Sequence, residues 1–404
     1  MKALKTLTLA ATAATMATFS AQAGEIKVGS AAGVTGPIAE LVAPILKARQ
    51  MAADDVNANG GLLKGDTMKL VVGDSACDPK AAVDVGQKLV NVEQVVAIVG
   101  ASCSGATNGM VSAVTIPAGV VVMSDSATAP SITDLKDNDT VFRVSASDAY
   151  QGLEIAKLVT KAGIKRIAVT YANDDYNAGI AKVFVAEYTK MGGTVTANQA
   201  HEQKKASYRS ELATLSQGNP EALALFAYYG GSGITIIKNS LENGLFSKFY
   251  GADGMFDVSV IKTIGAANLR GNLWITQAAS DPENVSYKAF AGPFKEKTGL
   301  DPAAPYAAHG YDVTFLMALA IEKAGSADRT KIAAALRAVA GPPGEVIRPG
   351  EWAKAKKLIA EGKDINYEGA VGSNDFDEKG DVSGLFSVNV VADSGDTWAR
   401  ELLK

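Results

Sequence analysis

The chain has 404 residues, 47% of them hydrophobic, with 40 glycines, two cysteines, two histidines and a formal net charge of −4. That length and apolar content suffice for two buried cores, while an acidic balance without basic clusters argues against a nucleic-acid binder. With His201 and His309 as the only histidines, a His-rich metal site or a standard hydrolase triad has little to be built from.

The first 23 residues place Lys2 and Lys5 ahead of an uncharged Ala/Thr-rich stretch and end on Ala21-Gln22-Ala23, the small-residue pattern that signal peptidase reads. The expectation is a secretory leader, 1–23, cleaved after Ala23, which leaves a mature chain of charge −6 (−4 − 2). No cysteine follows the cleavage point to carry a lipid, and no later segment is apolar for long enough to span a bilayer. The reading is a soluble, exported protein without membrane insertion.

From the mature start, short β-rich runs alternate with helical patterns. "EIKVGSA" reads as a strand, and Ile38, Leu41, Ile45, Ala48, Ala52 and Val56 then recur at steps of three and four, a helix face that stops at Gly60-Gly61. "MKLVVGD", a helix over 80–91, "VVAIVG", a helix from about 105 and "GVVVMS" continue the alternation. After "VFRVSASDAYQG" a second series begins, with helices over 151–162, 177–191, 207–217 and 233–243 set among "KRIAVTYA", "TVTANQ", "EALALFAYYG" and "KFYGAD". Such alternation specifies a mostly parallel sheet covered on both faces, and two successive series specify two lobes. The last third brings "GNLWITQ", helices over 284–298, 307–324 and 329–340, a basic helix near 351–361 and a strand "LFSVNVV". It is easiest to place if the chain crosses back to complete the first lobe and returns to the second at its end. Pro342-Pro343 and "VIRPGEWAKAKK" mark a surface excursion.

In open α/β sheets, ligands settle beyond the carboxyl ends of the strands. Here those ends carry "AAGVTGP", "ASCSGAT", "SDSATAP", "YANDDYNAG", "YYGGSG" and "GADGMFD", turns rich in glycine and hydroxyls with acids at Asp125, Asp174, Asp175 and Asp253. The combination suits a small zwitterion. Ser104 and Thr128 offer hydroxyl and backbone donors for a carboxylate beside a helix N-terminus, Asp253 offers a counter-charge for an ammonium, and Tyr176 offers a ring and a hydroxyl to close the cleft. Asp174-Asp175 reads as a solvated loop or helix cap ahead of a metal or ligand site, and Met255 and Phe256 as packing residues ahead of binding ones. Cys103, on a strand-to-helix bend, has the placement of a nucleophile. In an oxidising compartment the pair Cys77 and Cys103 reads first as a disulfide, and a Cys103 or Ser104 nucleophile lacks a base, since neither histidine falls in a strand-end loop.

The segment "ACDPKAAVDVGQKLVNVEQVVAIVGASCSGAT", followed in order by "ATAP", "NDDYNAG", "YYGG" and "FDEKGDVSG", resembles the periplasmic leucine/isoleucine/valine-binding proteins of ABC importers over essentially the whole mature chain. The resemblance implies an α/β fold of two doubly wound parallel-sheet lobes joined by a three-strand hinge, with 24–145 plus 278–372 as one lobe and 146–277 plus 373–404 as the other. It implies a Cys77–Cys103 bond, tying the turn after one strand to the turn after its neighbour. It also implies ligand contacts from Ser104, Ser126, Ala127 and Thr128 in the first lobe and from Tyr176, Asp253 and Tyr306. No cofactor, metal or catalytic residue is implied, and the partners are an amino-acid ligand and an inner-membrane permease served by a monomer. Four positions depart from the pattern: Asp253 replaces a glutamate, Leu41 and Ser232 replace aromatic pocket residues, and Tyr306 replaces a phenylalanine. The head-group site looks kept and the side-chain pocket altered, so a branched-chain ligand is the default expectation.

Overall fold

The structure is a computed structural model that describes residues 24–403. The expected leader, 1–23, and its cleavage point lie outside the described residues.

Five parallel strands form the first sheet, in the order Thr67–Asp74, Glu25–Ala32, Ile98–Val99, Val122–Ser124, Val141–Arg143. Because side chains alternate along a strand, neighbouring residues feed different cores. Ile98 and Val122 join Ala82, Met110 and Val114 of the helical stretches that follow the second and third strands, whereas Ala97, Val99, Val121 and Met123 join Phe290, Phe315 and Leu319. The latter belong to Val285–Thr298 and Ala307–Ala324, helices far along the chain. Ala307–Ala324 is buried on nearly every side, as expected of a helix that is apolar all round. Its one buried acid, Asp312, accepts hydrogen bonds from the Tyr367 hydroxyl (2.7 Å) and the backbone N–H groups of Ala370 and Val371 (both 2.9 Å). Burial pushes that carboxyl up to about 7 despite these donors.

The second sheet has seven strands, ordered Trp398–Leu402, Leu385–Val391, Leu273–Ala279, Phe249–Gly251, Ala222–Phe226, Arg166–Ala172, Thr194–His201. Its last five are parallel, and Leu385–Val391 and Trp398–Leu402 add an antiparallel edge. The terminal strand was not legible in the sequence, since in "WAREL" only Trp398 and Leu402 are partly buried and the three residues between them are exposed. The chain thus passes between the lobes after Arg143, after Ala279 and again before Leu385. One ion pair pins two of these passages: Arg143 Nε donates to Asp381 Oδ1 (2.6 Å) and Nη2 to Asp381 Oδ2 (2.7 Å), the bidentate geometry that suits a buried guanidinium. Its Nη1 also donates to Ala129 O (3.0 Å), which fixes the loop after Val122–Ser124.

Two expectations need correction. The stretch around Pro342–Lys357 is not a bare surface excursion: Glu345–Ile347 pairs with Ile365–Gly369, and Trp352 is fully buried with its indole N–H donated to Gly61 O (3.2 Å). The Cys77–Cys103 bond forms, but the strands it follows are not neighbours; Glu25–Ala32 lies between them. Closing a loop of 26 residues, it stabilises the first lobe by about 3.5 kcal/mol on the chain-entropy account. Neither sulfur is left as a free thiol.

Candidate functional site

The carboxyl ends of the two sheets face one another across a narrow cavity of about 20 Å³, little more than the room one water needs. The first lobe lines it with Ser102, Cys103, Ser104 and Ser126, and with Ile38 and Leu41 where the helix Ala39–Ala58 begins. The second lobe supplies Tyr176, Tyr228, Asp253 and Gly254, and Tyr306 reaches in from the head of Ala307–Ala324. No lysine or arginine among the described residues lines it.

On the first-lobe side, the polar groups are neutral and largely committed to one another. Ser104 Oγ accepts the backbone N–H groups of Thr128 and Ala129, both at 3.1 Å, which leaves its own proton free to donate. The Thr128 hydroxyl donates to Asp148 Oδ2 (3.0 Å), and the Ala127 N–H donates to Ser124 Oγ (3.0 Å), so neither residue lines the cavity. The Ser126 hydroxyl lies 3.0 Å from Ser102 O and 2.9 Å from Asp125 Oδ1. Asp125 is itself held by buried Arg49, whose Nε donates to Oδ2 at 2.7 Å, and so serves the framework rather than the cavity.

Carboxylates and phenols make up the facing wall. Asp253 opens a single helical turn after Phe249–Gly251 and is buried, with Oδ1 accepting from Gln151 Nε2 (2.9 Å) and the Tyr176 hydroxyl (3.2 Å). Burial raises its pKa against the pull of those donors. Asp148 lies behind it, and burial first, then the Asp253 charge, push its carboxyl well above the usual range. Gln151 Nε2 also donates to Thr276 O and Oγ1 (both 3.1 Å), which fixes the amide and leaves Oε1, like Asp148 Oδ1, without a donor. Tyr176 and Tyr306 are held neutral by burial and then by Asp253. Tyr176 stacks on Tyr228 with ring centroids 5.5 Å apart. Gly254 permits this, because a Cβ there would stand 3.1 Å from both rings and 2.8 Å from Ala227 O.

Around the cavity the lobes touch directly. Asn108 Nδ2 donates to Asp175 Oδ2 (2.8 Å), and Gly230 packs so closely on Pro37 that a Cβ would lie 2.7 Å from its carbonyl oxygen. Asp174 caps the helix Asp175–Lys190 by accepting the Asn177 N–H at 2.9 Å. Ser232 faces away from the cavity and bonds His201 Nε2 (2.8 Å), whose Nδ1 meets the Thr170 hydroxyl (2.8 Å). Burial lowers the pKa of His201 to about 4 and that of His309 to about 3. Asp148, Gln151 and Tyr228 were not among the residues singled out in the sequence. The only trace of the first two is a helix start in "SASDAYQG", and Tyr228 stands in the strand-end "YYGG". Among the described residues no cluster of three His, Cys, Asp or Glu side chains is placed to hold a metal ion.

Two facing, mostly parallel sheets, three interlobe passages and a polar cavity at the strand ends define a two-lobed binding protein. The periplasmic binding protein family matches residues 25–378, and the chain belongs to that family. It is 29% identical over 369 residues to the leucine-, isoleucine-, valine-, threonine-, and alanine-binding protein of Pseudomonas aeruginosa, covering 91% of this chain and 89% of the relative. The fold matches the branched-chain amino acid transporter substrate-binding protein of Streptococcus pneumoniae in complex with isoleucine, with a TM-score of 0.77, 24% identity and coverage of 94% and 99% of the two chains. It also matches an R. palustris solute-binding protein in complex with benzoate, with a TM-score of 0.75, 20% identity and coverage of 94% and 96%. The fold is therefore that of the type I periplasmic binding proteins. Among the described residues no helix is long and apolar enough to cross a membrane.

Proposed function

We propose that this chain is the periplasmic solute-binding component of an ABC importer and captures an α-amino acid of the branched-chain or small aliphatic class. The observation that carries the reading is Asp253, a buried carboxylate on the cavity with no basic partner, facing a wall of neutral donors. An α-ammonium satisfies that charge, and an α-carboxylate takes the free Ser104 proton, with Ser126 bordering it once its own proton turns from Ser102 O and Asp125 Oδ1. Ala127 and Thr128 act from behind by shaping the loop, Tyr176 orients Asp253, and Tyr306 faces the ligand. The lobes comprise 24–145 plus 278–372 and 146–277 plus 373–404, and ligand release follows their separation at the passages pinned by Arg143 and Asp381. The chain acts as an exported monomer, its leader cleaved after Ala23, and hands its ligand to an inner-membrane permease.

An aromatic acid without an amine, of the kind bound by the R. palustris neighbour, is disfavoured because it would fill the cavity and leave the buried Asp253 carboxylate without a counter-charge. Calorimetric titration of ligand-stripped protein decides between the two. Heat on adding aliphatic amino acids and none on adding benzoate is expected. Binding of benzoate without binding of any amino acid would remove the reading.

A further inference from the structure

We propose that Asp148 is a positioning residue that stays a carboxylic acid: its proton is donated to Gln151 Oε1, which locks the Gln151 amide onto Asp253 and leaves Asp253 as the one negative charge behind the ligand's ammonium. The proton and its bond belong to the free protein; only their consequence for affinity rests on the amino-acid reading above.

Gln151 fixes the direction of the bonds. Its Nε2 faces Asp253 Oδ1 (2.9 Å), Thr276 O and Thr276 Oγ1 (both 3.1 Å). A carbonyl and a carboxylate offer no proton, so the amide cannot be turned round. Oε1 therefore points the other way, buried and without a donor. Asp148 stands three residues earlier on the helix Asp148–Lys161, on the same face and equally buried. Its Oδ2 takes the Thr128 hydroxyl (3.0 Å), and its Oδ1 is likewise buried without a donor. Left bare, each of these acceptors is costly to bury; one proton between them satisfies both.

The charges point the same way. Arg143, the cation whose field reaches Asp148, is spent in its bidentate pair with Asp381. The phenols of Tyr176, Tyr228 and Tyr306, which face the two acids from three other segments, are kept neutral by burial. The helix N-terminus does not hold an anion on Asp148 either, because the cap is Ser147, whose Oγ accepts the Ala149 N–H at 3.3 Å. Two like charges this deeply buried do not both ionise, and the proton goes to the acid with fewer donors. Asp253 has Gln151, the Tyr176 and Tyr306 hydroxyls and a backbone N–H, whereas Asp148 has Thr128 alone. Burial, and then the Asp253 charge, accordingly push the Asp148 carboxyl up. A site left with one net charge matches a ligand with one ammonium.

The test is calorimetry with leucine and alanine, and urea unfolding, on the ligand-stripped natural full chain, Asp148→Ala, Asp148→Asn and Asp253→Asn. An asparagine reproduces the protonated acid, with an N–H for Gln151 and an oxygen for Thr128. Asp148→Ala is expected to weaken binding about tenfold by freeing Gln151, and Asp148→Asn to restore it to within about threefold of the natural chain. Asp253→Asn is expected to lose about a hundredfold or more. The reverse order, with Asp253→Asn binding better than Asp148→Asn, places the proton on Asp253 and overturns the inference. In the free protein, a proton kept by the folded chain but released by the unfolded one at the ordinary 3.8 makes stability fall as pH rises. The fall in urea midpoint from pH 5 to pH 8 is therefore expected to be smaller in Asp148→Asn than in the natural chain. An equal fall overturns the inference, whether or not Asp148→Ala folds. If neither amino acid binds the natural chain, the amino-acid reading fails, and the pH comparison still decides the proton.

Discussion

The two lobes meet the cavity with opposite chemistry. The first presents hydroxyls and backbone N–H groups that already bond one another, as when Ser104 Oγ receives both Thr128 and Ala129, and it is stiffened by a disulfide behind them. The second presents a buried carboxylate and phenols, backed by Asp148 and Gln151, whose acceptors Oδ1 and Oε1 have no donor. The contrast teaches that a rigid, self-satisfied wall suits a ligand's anion, which needs only neutral donors, while the unsatisfied wall stores the electrostatic demand that a cation relieves. Substitutions should therefore separate stability from affinity according to lobe.

The largest effect is expected at Asp253. Asp253→Ala leaves a bound ammonium without its counter-charge, a loss of about 3–5 kcal/mol, while urea unfolding of the free protein changes little because the buried acid it removes was itself unfavourably placed. Calorimetry and a urea titration on the same sample check both halves; unchanged affinity would take Asp253 out of the site. Next comes the pH response of the second lobe. His201 has a folded pKa of about 4 against an ordinary 6.5, so the unfolded chain takes up the proton first as pH falls. The stability this neutral histidine supplies is complete above pH 6.5 and is lost on going down to pH 4, a ceiling of about 3 kcal/mol. Comparing urea midpoints at pH 7 and pH 4.5 for the natural chain and His201→Gln should show a smaller acid loss in the variant. The smallest effect is expected at Ser104, where Ser104→Ala strands two buried N–H groups and costs about 1–3 kcal/mol of folding stability. If Ser104→Ala lowers affinity with no change in its urea midpoint, the self-satisfied description of the first lobe is wrong.

Much of the framework was legible because periodicity is a local property. Helices expected over 307–324 and 329–340 occur as Ala307–Ala324 and Arg329–Ala340, since their apolar spacing and flanking glycines are written in consecutive residues. The short strands were equally plain where β-branched runs ended in glycine. What escaped depends on distance along the chain. Gln151 meets Asp253 across 102 residues, and nothing in "SASDAYQG" announces that the first interlobe passage delivers its helix there. Thr128 shows the converse, because its place in the "ATAP" loop was clear but the partner that turns its hydroxyl away from the cavity, Asp148, belongs to the other series. Ser232 likewise stood where a pocket residue was expected, and only the fold shows that His201 claims it. Trp352 read as part of a polar excursion because three lysines and an arginine lie within five residues of it, although its own side chain is core.

The contact of Gly230 with Pro37 is made by main chain on both sides, and main chain does not yield as a side-chain tip does. It acts as an end-stop: the lobes come together until backbone meets backbone, and the remaining volume is whatever the cavity side chains leave. A ligand that fits lets the stop engage, and one too large holds the two loops apart. In the proposed cycle, ligand size would thereby set the lobe separation, which a permease resting on both lobes could read without touching the ligand.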